Sequence, residues 1–555
     1  MSNKVRIFAL GGLDENGKNM YVLEINEDIF VFEAGIKYPE KYMPGIDMII
    51  PKYDYLLQHK DRIKAIFISH GHDHVMAALP YITKDIKAPI FCSKVTNRLI
   101  DDTTQRLGFT PNYNYHIVNA GDEINISGHK VVFFATTHSI SQSLGIAVDT
   151  GNGYVVYTGN FIIDYGTLPQ YQTDINFISR LGDKKVLCLL AESNGSDKDG
   201  FTSPKHKLTP VVEPVFAQAT GRIVFSMHAQ NIFGIREILD LAVKYKRKIL
   251  IYNKQVENLY KHPLTEYATS SIPQSYFLKL DEANRPGNEN IVIIISEIGE
   301  RLIHALSKVV GGGSRHVILR PTDTFIVANK PLAGLEMLQT KVVDDIYRAG
   351  CKVINISKKQ VVSMHPHAED LKMMISLLRP KYYMPVDGPY NKLIANAQVA
   401  VEMNAGYNHT NVFVYDNGMV AQFEDGVYKG FQEQIEIGDV MIDGLGVGDV
   451  GGSVINDRQK LAEDGVVILG ITVDTKNKEV VAGPDVQMRG VIFLKDADDF
   501  VTNLIKLFEE TVVEYLNEDT ISFPETKVKI RDKIHFFIRK STGKEPLIMP
   551  VIIEI

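Results

Sequence analysis

The first part of the chain is a succession of short apolar runs separated by turns. Residues 29–35, 63–69, 130–138 and 153–160 each gather Val, Ile, Phe or Tyr over the length of a strand. Three such runs lead into a side chain able to do chemistry, at His70, His138 and Asn160. This predicts a sheet-on-sheet sandwich flanked by helices, with a site along the edge where strand ends converge. From about Phe201 the pattern changes to helix alternating with parallel-type strand: strand 223–226, helix 234–245, strand 248–252, strand 291–296, helix 301–310 and strand 316–319. Residues 331–354 read as a helix closed by Gly350 and a return strand. The Gly-rich run 437–451 lacks the Lys and the following helix of a phosphate loop, so it reads as a linker. Beyond it, strands at 465–474 and 482–485, a helix at 497–514 and a last helix and strand form a small α+β domain of the kind that serves association.

The stretch Ser69-His70-Gly71-His72-Asp73-His74-Val75 closes one apolar run with three histidines and an aspartate. In extended backbone His70 and His72 project to the same side, so both imidazoles reach one cation. The bland alternative is a polar His-rich turn. His138 is a third candidate ligand, although a lone histidine at a strand end is ordinarily a satisfied loop residue.

At 555 residues the chain is too long for one core and suggests about three domains. A net charge of -7 gives no general attraction for phosphate backbones, so a nucleic-acid site has to be a local basic patch. Lys244-Tyr245-Lys246-Arg247-Lys248 is one such cluster, or else a solvated helix end. Cys92, Cys188 and Cys351 are odd in number and sit in apolar sequence, which reads as reduced core thiols. There is no signal-peptide pattern at the start, and apolar runs such as 291–295 are far shorter than the ~18 residues of a membrane span. A cytoplasmic protein without a membrane span is expected.

The histidine cluster resembles the His-x-His-x-Asp-His signature of the metallo-β-lactamase fold, in which two metals activate water. His70 and His72 match its first two ligands, while His74 falls where that family has Asp and Val75 where it has the last His. Thr137-His138-Ser139-Ile140 is similar to a family Thr-His-Ser-Ile motif, and Thr158-Gly159-Asn160-Phe161 to Thr-Gly-Asp-Phe, with Asn160 in place of the carboxylate that bridges both metals. Val361-Val362-Ser363-Met364-His365 resembles the phosphate-holding Val-Ser-Gly-His motif, whose His assists the leaving group. Met364 replaces its Gly and is expected to crowd backbone amides away from a phosphate. Pro385-Val386-Asp387-Gly388 resembles Pro-Val-His-Gly, with Asp387 for a ligand His. Met227-His228-Ala229 stands for an Ile-His-Arg near the substrate channel, without its Arg, and residues 296–302 stand for a Thr-Gly-Thr-Gln-Gly-Glu-Pro turn.

Motif order, inserted domain, linker and tail identify the chain as a member of the bacterial ribonuclease J family, most similar to the second, catalytically degenerate paralogue of Firmicutes. The resemblance implies an αββα metallo-β-lactamase sandwich with an inserted β-CASP βαβ domain and a C-terminal α+β association domain. The expected boundaries are a core at 1–205 and 361–420, the insertion at 206–360, a linker at 421–450 and the last domain at 451–555. It further implies one divalent metal, manganese or zinc, on His70, His72, His138 and Asp387, with His74 and Asn160 as lesser donors and no proper second site. Asp73 or His365 would handle protons, and Val361, Val362, Ser363, Met364, His365 and His228 would meet RNA. The function expected is that of a subunit with feeble metal-dependent RNA hydrolysis, exonucleolytic or endonucleolytic, that acts mainly as partner of the active paralogue, with homodimers also open. The alternatives are a fully active two-metal nuclease, a purely structural subunit, or a small-molecule hydrolase, which a strand-sized channel disfavours.

Overall fold

The structure, a computed structural model, describes residues 2–40, 42–254, 256–257, 272–331, 335–444, 446–491, 497–518 and 522–555. Of the segments read above, 332–334 and 445 lie outside the described residues. The chain divides into two units, Met1–Tyr38 with Met48–Val440, and Pro39–Asp47 with Met441–Ile555.

Two sheets organise the first unit. One has eight strands, in the order Val427–Gln434, Met419–Glu424, Lys4–Gly11, Met20–Ile25, Asp28–Phe32, Ile63–Phe67, Ile90–Cys92 and Tyr115–Ile117. The other has six, in the order Tyr382–Val386, Val186–Glu192, Tyr154–Tyr157, Leu144–Asp149, His129–Ala135 and Glu123–Ile126. Strand periodicity sorts their side chains: Phe133, Ile146, Val155 and Leu190 meet Ile7, Leu23, Phe30 and Phe67 of the facing sheet. Phe134, Ala147, Val156 and Leu189 point the other way, onto the helices Ile175–Gly182, Ala368–Leu378 and Tyr390–Glu402. The result is the expected αββα sandwich. All three cysteines are buried and unpaired within it or in the inserted domain.

Between strand Val186–Glu192 and its parallel neighbour Tyr382–Val386 the chain leaves to build a second, parallel sheet. Its order is Lys248–Ile251, Ile291–Glu297, Ile223–His228, Thr324–Val327 and Lys352–Asn355. Continuous apolar strands such as Ile291-Val292-Ile293-Ile294-Ile295 suit a sheet covered on both faces. The expected strand at 316–319 is irregular instead. The amides of Val317 and Ile318 are held by the Ser314 and Asn284 side chains, Ile318 is exposed, and the strand forms at Thr324–Val327 after a turn closed by Asp323. Helix Ile232–Lys244 ends at the basic cluster, where Lys244 pairs with Glu213 at the surface, whereas Arg247 is buried and donates to the Gly221 and Ala219 carbonyls, so the cluster is only in part a solvated helix end.

In the second unit, strands Glu479–Arg489, Val466–Asp474 and Leu547–Glu554 form a sheet in that order, one face of which packs Val467, Leu469 and Ile471 on helices Ala497–Leu516 and Phe523–Thr542. The other face leaves Ile468, Met549, Val551 and Ile553 exposed. The run read as a linker is ordered: Asp439–Asp443 and Gly446–Val447 pair antiparallel, and a helix, Gly452–Glu463, follows where none was expected. Among the described residues no helix is long and apolar enough to cross a membrane.

Candidate metal centre

Strand Ile63–Phe67 delivers the histidine loop to the sandwich edge, and the short helix Asp73–Met76 turns it back. Gly35, at the end of a neighbouring strand, makes the turn possible. A Cβ there would lie 1.6 Å from the His74 carbonyl oxygen, so any side chain would push the loop off the sheet.

Three imidazoles meet at that edge. His70 Nε2 lies 2.9 Å from His72 Nδ1, which lies 3.2 Å from His138 Nε2. The far nitrogen of each ring fixes its tautomer. His70 Nδ1 is 2.8 Å from Ser69 Oγ, whose own hydroxyl is bonded to the Glu33 carboxyl; His138 Nδ1–H donates to the Met364 carbonyl at 2.9 Å; and His72 Nε2–H faces the Gln230 carbonyl at 3.4 Å, with Ser139 Oγ at 3.3 Å. With the outer nitrogens protonated, three inner lone pairs converge with no proton between them. Burial, reinforced by the neighbouring imidazoles, holds all three rings well below the ordinary histidine range, so they stay neutral. Tetrahedral coordination at about 2.0–2.1 Å per nitrogen places donors roughly 3.3 Å apart, and the observed spacings fit one divalent ion.

The place of a second ion is differently built. His74 shares a cluster of ligand atoms with His70 and His72, yet its Nε2 donates to Asn160 Oδ1 at 2.9 Å, and Asn160 Nδ2 donates to Asp387 Oδ2 at 2.7 Å. Both ends of the amide are thus occupied by protein. Val75 is fully buried and offers no donor atom. The donor set does not fit a second dication. Asp387, expected as a fourth ligand of the first ion, is held against Asn160 at a backbone position of φ 55°, in the left-handed region.

Two further expectations are corrected. Asp73 does not face the histidines: its carboxylate accepts from Tyr38 Oη (2.6 Å), Arg106 Nη2 (2.9 and 3.0 Å) and Gln230 Nε2 (3.0 Å), which leaves no capacity for a reacting proton. Met364 does not crowd a phosphate, because its side chain turns inward onto Ile162, Tyr171 and Phe233.

His365 lies beside the histidine centre. Its ring centroid is 5.8 Å from that of His138, and its Nδ1 is bonded to Glu192 Oε1. Burial pulls this imidazole down, but the Glu192 carboxylate outweighs it and holds it above the usual range. Beside it, Lys330 Nζ donates to Ser363 Oγ at 3.1 Å. Burial and the charges of Lys198 and Lys358 bring Lys330 down to about 8. His228 Nε2 is bonded to the Lys330 carbonyl at 3.0 Å, whereas the amides of Val361 and Val362 are tied to Ser357 and Lys205 carbonyls. Glu192 closes an apolar strand run, the same signal that marked His138, and Ser139 belongs to the Thr137-His138-Ser139-Ile140 motif; Lys330, two residues beyond the apolar run 325–328, and Gln230 and Arg106 carried no such signal.

A sandwich with a histidine centre at its edge and an α/β domain inserted between two neighbouring parallel strands of one sheet defines the metallo-β-lactamase/β-CASP class. Residues 220–346 match the family described as Ribonuclease J, beta-CASP domain, and 453–555 the Ribonuclease J C-terminal domain. Proteins named Ribonuclease J 2 from Staphylococcus aureus (strain NCTC 8325 / PS 47) and Staphylococcus saprophyticus subsp. saprophyticus are each 33% identical, covering 99% and 100% of this chain and 98% and 99% of their own. A crystal structure of a protein of unknown function from Enterococcus faecalis V583 shares the fold, at a TM-score of 0.53 and 13% identity, over 76% of this chain and 100% of that one. The chain belongs to the ribonuclease J family, nucleases of RNA processing and decay.

Proposed function

We propose that this chain is a one-metal ribonuclease J-type subunit with feeble RNA hydrolysis, and that its main role is as partner of an intact, active paralogue. The observation that carries the reading is the chain of hydrogen bonds from His74 through Asn160 to Asp387, which fills the second metal's place with mutually bonded groups and a single carboxylate. Two-metal hydrolysis needs both ions to stabilise attacking and leaving oxygens; with one site gone, several kcal/mol of transition-state stabilisation are absent.

His70, His72 and His138 would hold the remaining ion, manganese or zinc, which supplies Lewis-acid polarisation of a phosphoryl oxygen and water acidic enough to attack at neutral pH. The chain's own groups do the rest. Lys330 and Ser363 give the RNA phosphate a cation and a hydroxyl, and His365, kept protonated by Glu192, donates from Nε2 to the leaving oxygen. The partner role is supported by the open apolar sheet face of Ile468, Met549, Val551 and Ile553, a surface suited to burial against another subunit.

Metal analysis of the purified chain, together with hydrolysis of 5′-monophosphorylated RNA alone and after mixing with an intact family member, tests this. One ion per chain, slow turnover alone and a mixed oligomer are expected. Two ions and turnover equal to the intact member's would overturn it.

A further inference from the structure

The inserted domain reaches the histidine centre through the loop Ala229-Gln230-Asn231, between strand Ile223–His228 and helix Ile232–Lys244. Gln230 makes two contacts with the core. Its carbonyl faces the Nε2 proton of His72, and its side-chain Nε2 donates to Asp73 at 3.0 Å, the residue that follows His72. Asp73 is itself pinned by Arg106 and Tyr38, so the side chain of Gln230 is clamped to a rigid point and its carbonyl is thereby aimed. At the other end of the loop the Phe233 amide donates to the Ser139 carbonyl at 2.9 Å, next to His138. One loop of the inserted domain is thus bonded beside two of the three ligands.

We infer that Gln230 is a positioning residue for the metal, and that closure of the inserted domain on the core and occupation of the histidine centre are energetically coupled. The argument rests on the one-metal reading above. The carbonyl of Gln230 keeps the proton of His72 on Nε2 and so keeps the Nδ1 lone pair turned to the ion. Any separation of the inserted domain from the core would break that bond and the Asp73 contact together and leave His72 free to take the other tautomer. Linkage makes the effect reciprocal: whatever the closed domain adds to metal affinity, the metal adds to closure. Outer partners of ligating histidines are typically worth 10–100-fold in metal affinity. Because the loop belongs to the inserted domain, this contact ties ion retention to the seating of that domain on the core, which no partner within the core alone would do.

The test uses the full chain, stripped of metal and titrated with Mn2+ against a competing chelator, alongside amide hydrogen exchange of residues 231–235 with and without Mn2+. Gln230→Met removes the side-chain amide, and with it the donor to Asp73, at nearly constant volume, and Gln230→Glu sets a carboxylate against Asp73. Expected are about tenfold weaker Mn2+ binding in Gln230→Met, a greater loss in Gln230→Glu, and Mn2+-induced protection of residues 231–235 in wild type that both variants lack. Metal-free Gln230→Met should melt with metal-free wild type, which a merely structural role would not allow. Equal Mn2+ affinity in wild type and variants, or unchanged exchange on adding Mn2+ to wild type, overturns the coupling and leaves the one-metal reading standing. A wild-type chain that binds no Mn2+ overturns both.

Discussion

Restoring the lost ligands should first make the protein less stable and then make it metal-dependent. The perturbation is the triple change Val75→His, His74→Asp and Asn160→Asp. In the native chain one carboxylate, Asp387, stands at the second site, with the neutral Asn160 between it and His74 at 2.7 and 2.9 Å. The triple change sets a carboxylate at position 160 directly against Asp387 and puts a second one at position 74, in place of the imidazole that donated to Asn160. Two like charges about 4 Å apart at an effective dielectric constant near 20 repel by about 4 kcal/mol. Taking up a proton instead, at pH 7 from an ordinary aspartate value near 3.9, also costs about 4 kcal/mol. The metal-free variant should therefore lose about 4 kcal/mol or more, which for a folding unit of this size lowers its melting temperature by roughly 5 °C. Mn2+ should reverse that loss, because a second dication neutralises the new carboxylates, and it should do so with two ions bound per chain and faster RNA hydrolysis than any single change gives. Thermal melts with and without Mn2+, metal analysis and turnover of 5′-monophosphorylated RNA read the three quantities. A metal-free triple variant as stable as wild type, or one that still binds a single ion, would refute the account of how the site was lost.

Three further outcomes are expected. With Lys330 held near 8, its positive charge is present at pH 7 and disappears as pH rises to 9; binding of 5′-monophosphorylated RNA to the metal-free chain should fall roughly tenfold over that range, and Lys330→Met should lower binding at pH 7 and abolish the pH step, as filter binding would show. Arg222, fully buried in the inserted domain, gives bonds to both oxygens of Asp323 and to the Ala283 and Ile318 carbonyls, so Arg222→Met strands a buried carboxylate and should cost about 3–5 kcal/mol in denaturant melts; a loss under 1 kcal/mol would contradict this. Val551→Glu on the open C-terminal sheet face should shift sedimentation toward smaller species without lowering the melting point of the monomer, and unchanged association would exclude that face as the contact.

The sandwich was legible because its strands are short, apolar and bounded by turns, and because the inward and outward sets of Phe133 and Phe134 follow a strict period of two. The inserted sheet was legible from runs such as 291–295, but 316–319 misled: its apolar composition matches a strand, while Ser314 and Asn284 capture the very amides a ladder would need. The Gly-rich run hid two short strands and a helix for a related reason, since glycine weakens every propensity signal. At the site, His70, His72 and His138 were found from strand ends and spacing. Asp73 was misassigned because adjacency in sequence says nothing of direction; the helix Asp73–Met76 turns its carboxylate toward Arg106 and Tyr38. Gln230 lies 158 residues from His72, and only the packing of the inserted domain brings them together.

The strand Lys4–Gly11 pairs on one side with Met20–Ile25, available at once, and on the other with Met419–Glu424, made some 415 residues later. At translation speeds of about 5–20 residues per second, the growing polypeptide emerges from the ribosome with that edge bare for roughly 20 to 80 s. An unpaired edge invites pairing with another chain. Fragments that stop before residue 419 keep the edge open permanently, and for this protein truncation from the C-terminal side trades a folded product for an aggregating one.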